Sequence, residues 1–255
     1  DIPPFELAKP AREHQRFAGA QLNIRGGLLL ADDLGLGKTI TGMLPMTVPG
    51  NLPAVVVYPA SLPNHWAEKL AEFLPNLRVH EIRKGQPYPL VKQKGQRAKD
   101  LWDTLPDVIL VSYHKLRGWA ETLAEIAQYL VFEECQQLRN PDSDIYRACV
   151  YLAERTKLRM GLTATPIYNY GSEFYHVVNV LLPDALGGYD EFLREWCIGS
   201  SGDKPKLKDS ELFGSYLRRE GIMLRRTRRE VGRELPLLSK IPHEIESDAK
   251  GLDKL

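Results

Sequence analysis

Short runs of branched apolar residues alternate along the chain, as far as Pro166, with longer segments whose apolar positions recur every three or four residues. Six runs have the length and composition of buried strands: Gly27–Leu30, Ala54–Tyr58, Arg78–Ile82, Val108–Ser112, Tyr129–Glu133 and Leu158–Leu162. The segments with helical spacing are Glu13–Asn23, Lys38–Met46, Leu62–Phe73, Gln93–Trp102, Ala120–Gln128 and Ser143–Glu154. This alternation predicts an α/β domain with a mostly parallel sheet and helices on both faces.

The pattern changes after Thr165-Pro166. Three further helices are predicted, at Glu173–Leu182, Tyr189–Cys197 and Glu211–Glu220, with turns that contain glycine or proline between them and no further strand. We therefore expect one α/β lobe over residues 1–246 that carries a helical appendage at about residues 167–235.

Composition narrows the class of protein. The chain has 255 residues, 43% of them apolar and 26% charged, which is typical of a folded globular domain. No apolar stretch approaches the roughly 18 residues that a membrane-spanning helix needs, so we expect no membrane partner. The net charge of +1 means that a polyanion must be met by local basic patches. Three widely spaced cysteines indicate reduced thiols and an intracellular location, in the cytoplasm or nucleoid, with the nucleus left open.

A glycine-rich turn follows the first predicted strand. The sequence from Leu28 to Thr39, LLLADDLGLGKT, runs from an apolar strand through glycines into a helix. Small residues let backbone N–H groups converge on phosphate oxygens, Lys38 can neutralise the outer phosphates, and the Thr39 hydroxyl can bind Mg²⁺. A strict P-loop has glycine six positions before the lysine, where this chain has Asp32. The alternative is a glycine-rich turn that happens to end in Lys-Thr.

Two carboxylates follow the strand at Tyr129–Glu133. Glu133 and Glu134 lie at the carboxyl end of a buried run, where carboxylates are costly unless they serve a cation or a water molecule. In a P-loop fold this edge of the sheet also holds the phosphates. Glu133 would then bind Mg²⁺, and Glu134 would orient or deprotonate the attacking water. The alternative is a solvated acidic turn.

Several segments resemble, in order, the motifs of the Swi/Snf-type ATPases of helicase superfamily two. The phosphate-binding motif of that family has an acidic pair where a strict P-loop has its first glycine, as in Asp32-Asp33. The other matching segments are Arg12–Gln15 (the adenine-reading Q segment), Tyr58–Trp66 (motif Ia), Val111–Tyr113, Glu133–Asn140 (motif II), Leu162–Asn169 (motif III) and Met223–Val231 with Leu235-Pro236 (the stretch that closes the first lobe).

The resemblance implies a RecA-like lobe that binds ATP and Mg²⁺ and moves along double-stranded DNA together with a second such lobe. Gln15 carries both an amide donor and an acceptor and can bind an adenine edge, although a lone helical Gln is often only solvated. The residues expected around ATP are Arg12, Gln15, Asp33, Gly35, Leu36, Gly37, Lys38, Thr39 and Ile40. Lys38 and Glu134 are the expected catalytic residues.

The resemblance also assigns residues to DNA and to coupling. Ser61, Asn64 and Ser112 would lie near the DNA backbone; for the two serines, capping of the following helix or turn is the alternative. Gln136, Thr163 and Thr165 would couple the phosphate site to the DNA face and the second lobe. For the threonines the alternative is hydrogen bonding to turn backbone.

The sequence departs from the family pattern at three places. Motif II begins with Glu133 instead of Asp, which moves the carboxylate about 1.5 Å further from the backbone. Either it binds Mg²⁺ directly in place of a water, or turnover is impaired. Gln136 stands where many relatives have His. The sequence ends at Leu255, so we expect residues 247–255 to start a linker to a missing second lobe and the lobe alone to hydrolyse ATP slowly.

Two other functions stay open at this stage. A non-catalytic module that holds nucleotide or DNA would explain Glu133, and a small-molecule P-loop kinase would explain the glycine-rich loop but not motifs Ia and III. Of two basic clusters, the first is either a DNA contact or a solvated face, and the second lies, by resemblance, beside the ATP cleft and the partner lobe. The first is Arg83, Lys84, Lys92, Lys94, Arg97 and Lys99. The second is Arg218, Arg219, Arg225, Arg226, Arg228, Arg229 and Arg233, of which some are expected to have structural partners.

Overall fold

The computed structural model describes residues 5–62, 65–92, 102–166, 170–199 and 205–232. Its strands are β1 (Gly27–Leu30), β2 (Ala54–Tyr58), β3 (Val79–Glu81), β4 (Val108–Ser112), β5 (Tyr129–Glu133), β6 (Leu158–Leu162), β7 (Cys197–Ile198), β8 (Lys206–Leu207) and β9 (Met223–Leu224). Its helices are α1 (Glu13–Arg25), α2 (Lys38–Met43), α3 (His65–Phe73), α4 (Tyr113–Ala124), α5 (Asp144–Glu154), α6 (Gly171–Leu181), α7 (Tyr189–Trp196) and α8 (Ser210–Arg219).

Seven strands form one sheet in the order β3-β4-β2-β5-β6-β1-β9, and every neighbouring pair is parallel. Parallel strands place all their carboxyl ends at one edge. The loops after β1 and β5 therefore leave the sheet at the same edge, with β6 between them. This confirms the predicted fold class.

Alternate residues of each strand enter two separate apolar layers. Leu29, Val55 and Leu130 pack in the layer that includes α4, α5 and α6. Their neighbours Leu28 and Val56 pack in the layer that includes α1, α2 and α3. Because both faces are covered, the central strands are apolar at nearly every position, which is the pattern that the sequence shows.

Most predicted elements are present with small changes of boundary. The helix predicted at Lys38–Met46 ends at Met43 and continues as a 3-10 turn over Leu44–Thr47, which contains Pro45. The helix predicted at Leu62–Phe73 begins at His65. The prediction of Ala120–Gln128 was wrong at both ends, because α4 spans Tyr113–Ala124. The predicted helix Gln93–Trp102 lies outside the described residues except for Trp102, which forms an isolated bridge with Val91.

The predicted end of strand structure after Pro166 was wrong. The three predicted helices of the appendage are present as α6, α7 and α8, but a short antiparallel pair, β7 and β8, lies between the last two. The chain then returns to the main sheet as β9, which pairs with β1. Strands of two residues carry no periodicity, so only the folded sheet reveals them.

Candidate nucleotide site

The phosphate loop lies between β1 and α2. Gly35 and Gly37 have φ of +84° and +81°, a left-handed conformation that glycine adopts without strain. Lys38 begins α2, and its Nζ donates to the backbone carbonyl oxygens of Asp32 (2.5 Å) and Asp33 (3.3 Å). Partial burial lowers the pKa of Lys38, while the surrounding carboxylates, including Glu133 and Glu134, act in the opposite direction. The lysine therefore closes the loop within electrostatic reach of the acidic box, which is the pair Glu133 and Glu134.

Asp32, the residue that replaces the strict P-loop glycine, is buried and ion-paired. Its carboxylate accepts hydrogen bonds from the Arg226 guanidinium at 2.9 Å (Nε to Oδ1) and 2.6 Å (Nη2 to Oδ2), and from the Arg226 backbone N–H at 3.0 Å. The guanidinium also donates to the His14 carbonyl, and the Arg226 carbonyl accepts from the Asp33 N–H at 3.0 Å. The segment after β9 is thus fastened to the phosphate loop through the acidic residue that breaks the P-loop pattern.

Gln15 lies beside the phosphate loop and is 3% exposed, so the alternative of a solvated side chain was wrong. Its Nε2 donates to the carbonyls of Leu36 and Gly37, both at 3.3 Å, and its Oε1 accepts from the Arg12 N–H at 3.0 Å. A Cβ at Gly37 would lie 2.6 Å from Nε2 and would displace the Gln15 amide, and the φ of +81° would strain any other residue at this position.

Two cavities meet at Arg12. The smaller one, of about 280 Å³, adjoins the phosphate loop and is lined by Lys9, Pro10, Arg12, Gln15, Gly35, Leu36, Gly37, Ile40 and Phe73. The larger one, of about 810 Å³, lies along α1 and includes Phe17, Arg226 and Val231. Six of the nine residues expected around ATP line the smaller cavity: Arg12, Gln15, Gly35, Leu36, Gly37 and Ile40. Of the other three, Asp33 belongs to the phosphate loop, and Lys38 and Thr39 begin α2.

Glu133 ends the central strand β5 and is 9% exposed. Its Oε2 accepts a hydrogen bond from the indole Nε1 of Trp66 at 3.0 Å, and its backbone carbonyl accepts one from the Tyr113 hydroxyl at 3.0 Å. Burial raises the pKa of the Glu133 carboxyl to about 7; the Trp66 hydrogen bond and the Lys38 charge lower it, and the Glu134 charge raises it. A buried carboxylate of this kind is stabilised in its charged form by a cation.

Glu134 has φ of +49° and ψ of +55°, the left-handed region that non-glycine residues rarely adopt. Such a conformation costs on the order of 1–3 kcal/mol and is found mainly where the surrounding structure imposes it, often at active sites. The Glu134 Oε2 accepts a hydrogen bond from Gln136 Nε2 at 2.6 Å, whereas the buried Gln136 Oε1 has no partner among the described residues. The solvated acidic turn that the sequence left open does not fit this geometry.

Two residues that the sequence did not single out connect the halves of the site. His65 and Trp66 begin α3, and His65 Nε2 lies 3.2 Å from the Thr39 hydroxyl. Arg226, which pairs with Asp32, is a further residue of the site, and the sequence placed it only in a basic cluster. The signal for Trp66 was weak, because a buried Trp on a helix is usually explained by the core alone.

The residues assigned to DNA differ in exposure. Ser61 is exposed and lies before α3, which begins too late for Ser61 to be its N-cap. Ser112 is buried at 4% exposure and occupies the N-cap position of α4, but its side chain makes no capping hydrogen bond. Asn64 lies outside the described residues. Their contact with DNA stays a prediction.

The two threonines assigned to coupling form a turn after β6. Thr163 is buried, and its hydroxyl accepts from the Thr165 N–H at 3.0 Å. The Thr163 N–H donates to the Leu30 carbonyl at 3.1 Å, at the end of the strand that leads into the phosphate loop. The Thr163 hydroxyl therefore bonds turn backbone, which is the alternative that the sequence left open. A coupling role for the two threonines stays a prediction.

Some arginines of the second basic cluster have structural partners, as expected, and Arg233 lies outside the described residues. Arg226 pairs with Asp32, and Arg228 Nε donates to the Leu34 carbonyl at 2.7 Å. In the first cluster, Lys94, Arg97 and Lys99 lie outside the described residues. No helix in the described part of the chain is long and apolar enough to cross a membrane.

Similar proteins include ATP-dependent helicases and chromatin-remodelling ATPases. An uncharacterized ATP-dependent helicase of Mycoplasma pneumoniae is 29% identical, over 89% of this chain and 21% of its own length. The Zorya protein ZorD of Escherichia coli is 31% identical, over 91% of this chain and 24% of its own. The chromatin-remodeling ATPase INO80 of Emericella nidulans is 26% identical, over 81% of this chain and 14% of its own. The chain thus spans less than a quarter of each of these relatives.

The fold is also similar to solved structures. The SWI2/SNF2 ATPase core of Sulfolobus solfataricus in complex with dsDNA superposes with a TM-score of 0.69 and 27% identity, over 91% of this chain and 47% of that one. These matches confirm the resemblance that the ordered motifs predicted. A family model described as the SNF2-related domain matches residues 17–250, which is most of the chain, and the protein therefore belongs to the SNF2-related domain family.

Proposed function

We propose that this chain is the ATP-binding lobe of a DNA-dependent ATPase that couples hydrolysis to movement along double-stranded DNA or to remodelling of protein–DNA complexes. One observation carries the proposal: Lys38, which begins α2 after the loop that follows β1, lies within electrostatic reach of Glu133, the last residue of β5, and of Glu134, at a single edge of the sheet. A cation that binds phosphate and a pair of carboxylates at that edge are the parts that phosphoryl transfer to water requires.

Different residues bind phosphate, bind the metal and activate water in this proposal. Lys38 exchanges its bonds to the Asp32 and Asp33 carbonyls for phosphate oxygens, and the N–H groups of the glycine-rich loop bind the same oxygens. The Thr39 hydroxyl and the Glu133 carboxylate are hard oxygen donors that fit Mg²⁺, which when bound would neutralise charge on the phosphates. Glu134 accepts the proton of the attacking water.

The cavity beside Gln15 is the proposed place of the base. The Gln15 amide already binds the Leu36 and Gly37 carbonyls, so a base that contacted Gln15 would act directly on the backbone of the phosphate loop. This supports the adenine-reading role that the resemblance implies.

Double-stranded DNA and a second RecA-like lobe are the proposed partners. The matched Sulfolobus solfataricus core was solved with dsDNA, and this chain covers 47% of it. Ser61, which is exposed, follows β2, and Arg83 and Lys84 follow β3, so all three lie on loops at the carboxyl edge of the sheet. An arginine from a partner domain adds roughly 10³–10⁵ to the rate in comparable phosphoryl transfers, so hydrolysis by this lobe alone should be slow. Three buried free thiols support an intracellular location.

Phosphate release with and without duplex DNA tests the proposal. We expect release that requires Mg²⁺, rises with duplex DNA, and rises further when a second lobe is supplied. Glu134→Gln should lower release by roughly 10²- to 10⁴-fold and keep nucleotide binding. DNA that leaves the rate unchanged in the presence of a second lobe would contradict the proposal.

A second candidate is a non-catalytic module that binds nucleotide or DNA, and the specific observation in its favour is Glu133 in place of the family's Asp. A non-catalytic module would bind nucleotide as tightly as an active ATPase lobe but would show no DNA-stimulated phosphate release. A small-molecule kinase would instead transfer phosphate to an acceptor in a DNA-independent reaction, and the family match argues against it.

A further inference from the structure

The first turn of α3 contacts both side chains that the proposed function assigns to the metal. His65 Nε2 lies 3.2 Å from the Thr39 hydroxyl oxygen, and Trp66 Nε1 donates to Glu133 Oε2 at 3.0 Å. Two consecutive residues of one helix therefore reach one side chain from the phosphate loop and one from the acidic box. Neither contact was expected from the sequence motifs.

The Trp66 indole is held in place by packing. The residue is fully buried, and a Cβ built on Gly42 would lie 3.1 Å from Trp66 Cη2 and 3.3 Å from Leu162 Cδ1. Gly42 belongs to α2, the helix that starts with Lys38 and Thr39. The indole therefore fills the space between the phosphate-loop helix and the sheet, and its N–H has little freedom to move away from Glu133.

A fixed donor at one oxygen restricts how the Glu133 carboxylate can turn. Glutamate has one more rotatable bond than aspartate, so a metal-binding Glu needs more orientation than the Asp of the family motif. Partners that orient a metal-binding side chain without touching the metal commonly change metal affinity or activity by roughly 10- to 100-fold when they are removed.

His65 contacts the Thr39 hydroxyl in the same way that Trp66 contacts the Glu133 carboxylate, through one ring nitrogen. A hydroxyl that binds a cation through its oxygen still has a proton to donate. In the tautomer with an unprotonated Nε2, His65 accepts that proton and leaves the oxygen lone pairs available.

We propose that Trp66 and His65 are positioning residues for the metal site: Trp66 orients the Glu133 carboxylate, and His65 orients the Thr39 hydroxyl, to receive the Mg²⁺ that accompanies ATP. The inference rests on the proposed function, because it takes the metal-binding role of Glu133 and Thr39 from there. It adds two residues that contact the proposed metal-binding side chains.

The test measures the affinity of the chain for a fluorescent ATP analogue, once with excess Mg²⁺ and once with EDTA. The Mg²⁺ factor is the dissociation constant in EDTA divided by the dissociation constant in excess Mg²⁺. A purely structural defect lowers both affinities and leaves this factor unchanged. Trp66→Phe keeps an aromatic ring and removes the N–H donor. We expect it to lower the Mg²⁺ factor roughly 10-fold, with the affinity in EDTA close to that of the wild type.

Trp119→Phe is the matched control. Trp119 is also fully buried, and its indole N–H donates to the Lys84 carbonyl at 2.9 Å, away from the carboxylates. We expect a comparable loss of melting temperature with an unchanged Mg²⁺ factor. Equal factors in the two variants would overturn the role of Trp66.

His65→Ala provides a second test that does not depend on a core substitution, because His65 is exposed. Its control is His114→Ala, an exposed histidine in the first turn of α4. We expect a smaller Mg²⁺ factor for His65→Ala only. Should Trp66→Phe fail to fold, this comparison decides alone, and equal factors would overturn the proposal. A wild type without any Mg²⁺ dependence would instead contradict the proposed function itself.

Discussion

The phosphate loop and the acidic box are held by different means. The loop is fastened from outside by the Asp32–Arg226 ion pair, and Lys38 bonds to carbonyls of its own loop. The acidic box is positioned by the sheet, which buries Glu133. The next residue, Glu134, has a left-handed conformation. The loop can exchange one set of hydrogen bonds for another when phosphate binds. The box carries a desolvated carboxylate, Glu133, and a residue in a left-handed conformation, Glu134, without any ligand.

The largest expected effect is a loss of hydrolysis without a loss of nucleotide binding, caused by a change in the acidic box. Glu134→Gln removes the proton acceptor and keeps the hydrogen-bonding shape of the side chain. Hydrolysis should fall by roughly 10²- to 10⁴-fold, measured as phosphate release with saturating duplex DNA, while nucleotide affinity stays near that of the wild type. The control is Glu121→Gln, an exposed residue of α4, which should change neither quantity. Hydrolysis that survives in Glu134→Gln would remove this residue from the mechanism.

Lys38→Ala tests the loop half. A charge-assisted hydrogen bond to phosphate is worth about 1.5–3 kcal/mol, so nucleotide affinity should fall by roughly 10- to 100-fold. The free energy of unfolding of the ligand-free protein should change little, because the bonds that Lys38 makes there only satisfy carbonyls of its own loop. Titration of a fluorescent ATP analogue and a denaturation curve measure the two quantities. Unchanged affinity would refute the phosphate-binding role of Lys38.

Arg226→Gln tests the outside fastening of the loop. Loss of one partner of a buried ion pair costs about 3–5 kcal/mol, and the 16% exposure of the Arg226 side chain reduces this to about 2 kcal/mol. Urea denaturation measures it. Arg225→Gln and Arg229→Gln, at exposed positions beside it, should stay within about 0.5 kcal/mol of the wild type. Asp32→Asn combined with Arg226→Gln should cost less than the sum of the single changes, and strict additivity would show that the pair is not coupled.

The smallest expected effect is a pH dependence of stability due to Glu133. Because burial raises its pKa from 4.5 to about 7, the folded protein holds this proton in a range where the unfolded chain has lost it. Stability therefore falls as the pH rises through 7. Between pH 6 and pH 8 the wild type should lose about 1.4 kcal/mol relative to Glu133→Gln. Parallel unfolding curves of the two proteins across that range would contradict the raised pKa.

Local patterns in the sequence were sufficient for the fold class and for the two chemical motifs. The six main strands matched because parallel strands covered on both faces are apolar at nearly every position. The glycines before Lys38 and the carboxylates after β5 were readable because each motif is contiguous. The helix α4 was misplaced although Leu116, Trp119 and Leu123 share one face at helical spacing, and β9 was missed because two residues carry no pattern.

The amino-acid order by itself determined the six main strands, the positions of the phosphate loop and the acidic box along the chain, and the family that the motifs resemble. Only the tertiary structure decided that Asp32 pairs with Arg226, 194 residues away, and that Trp66 and His65 join the two halves of the site. The physical reason is distance along the chain. Strand and loop propensities act between near neighbours, whereas the orientation of a buried carboxylate depends on whichever donor the folded sheet and helices bring within 3 Å of it.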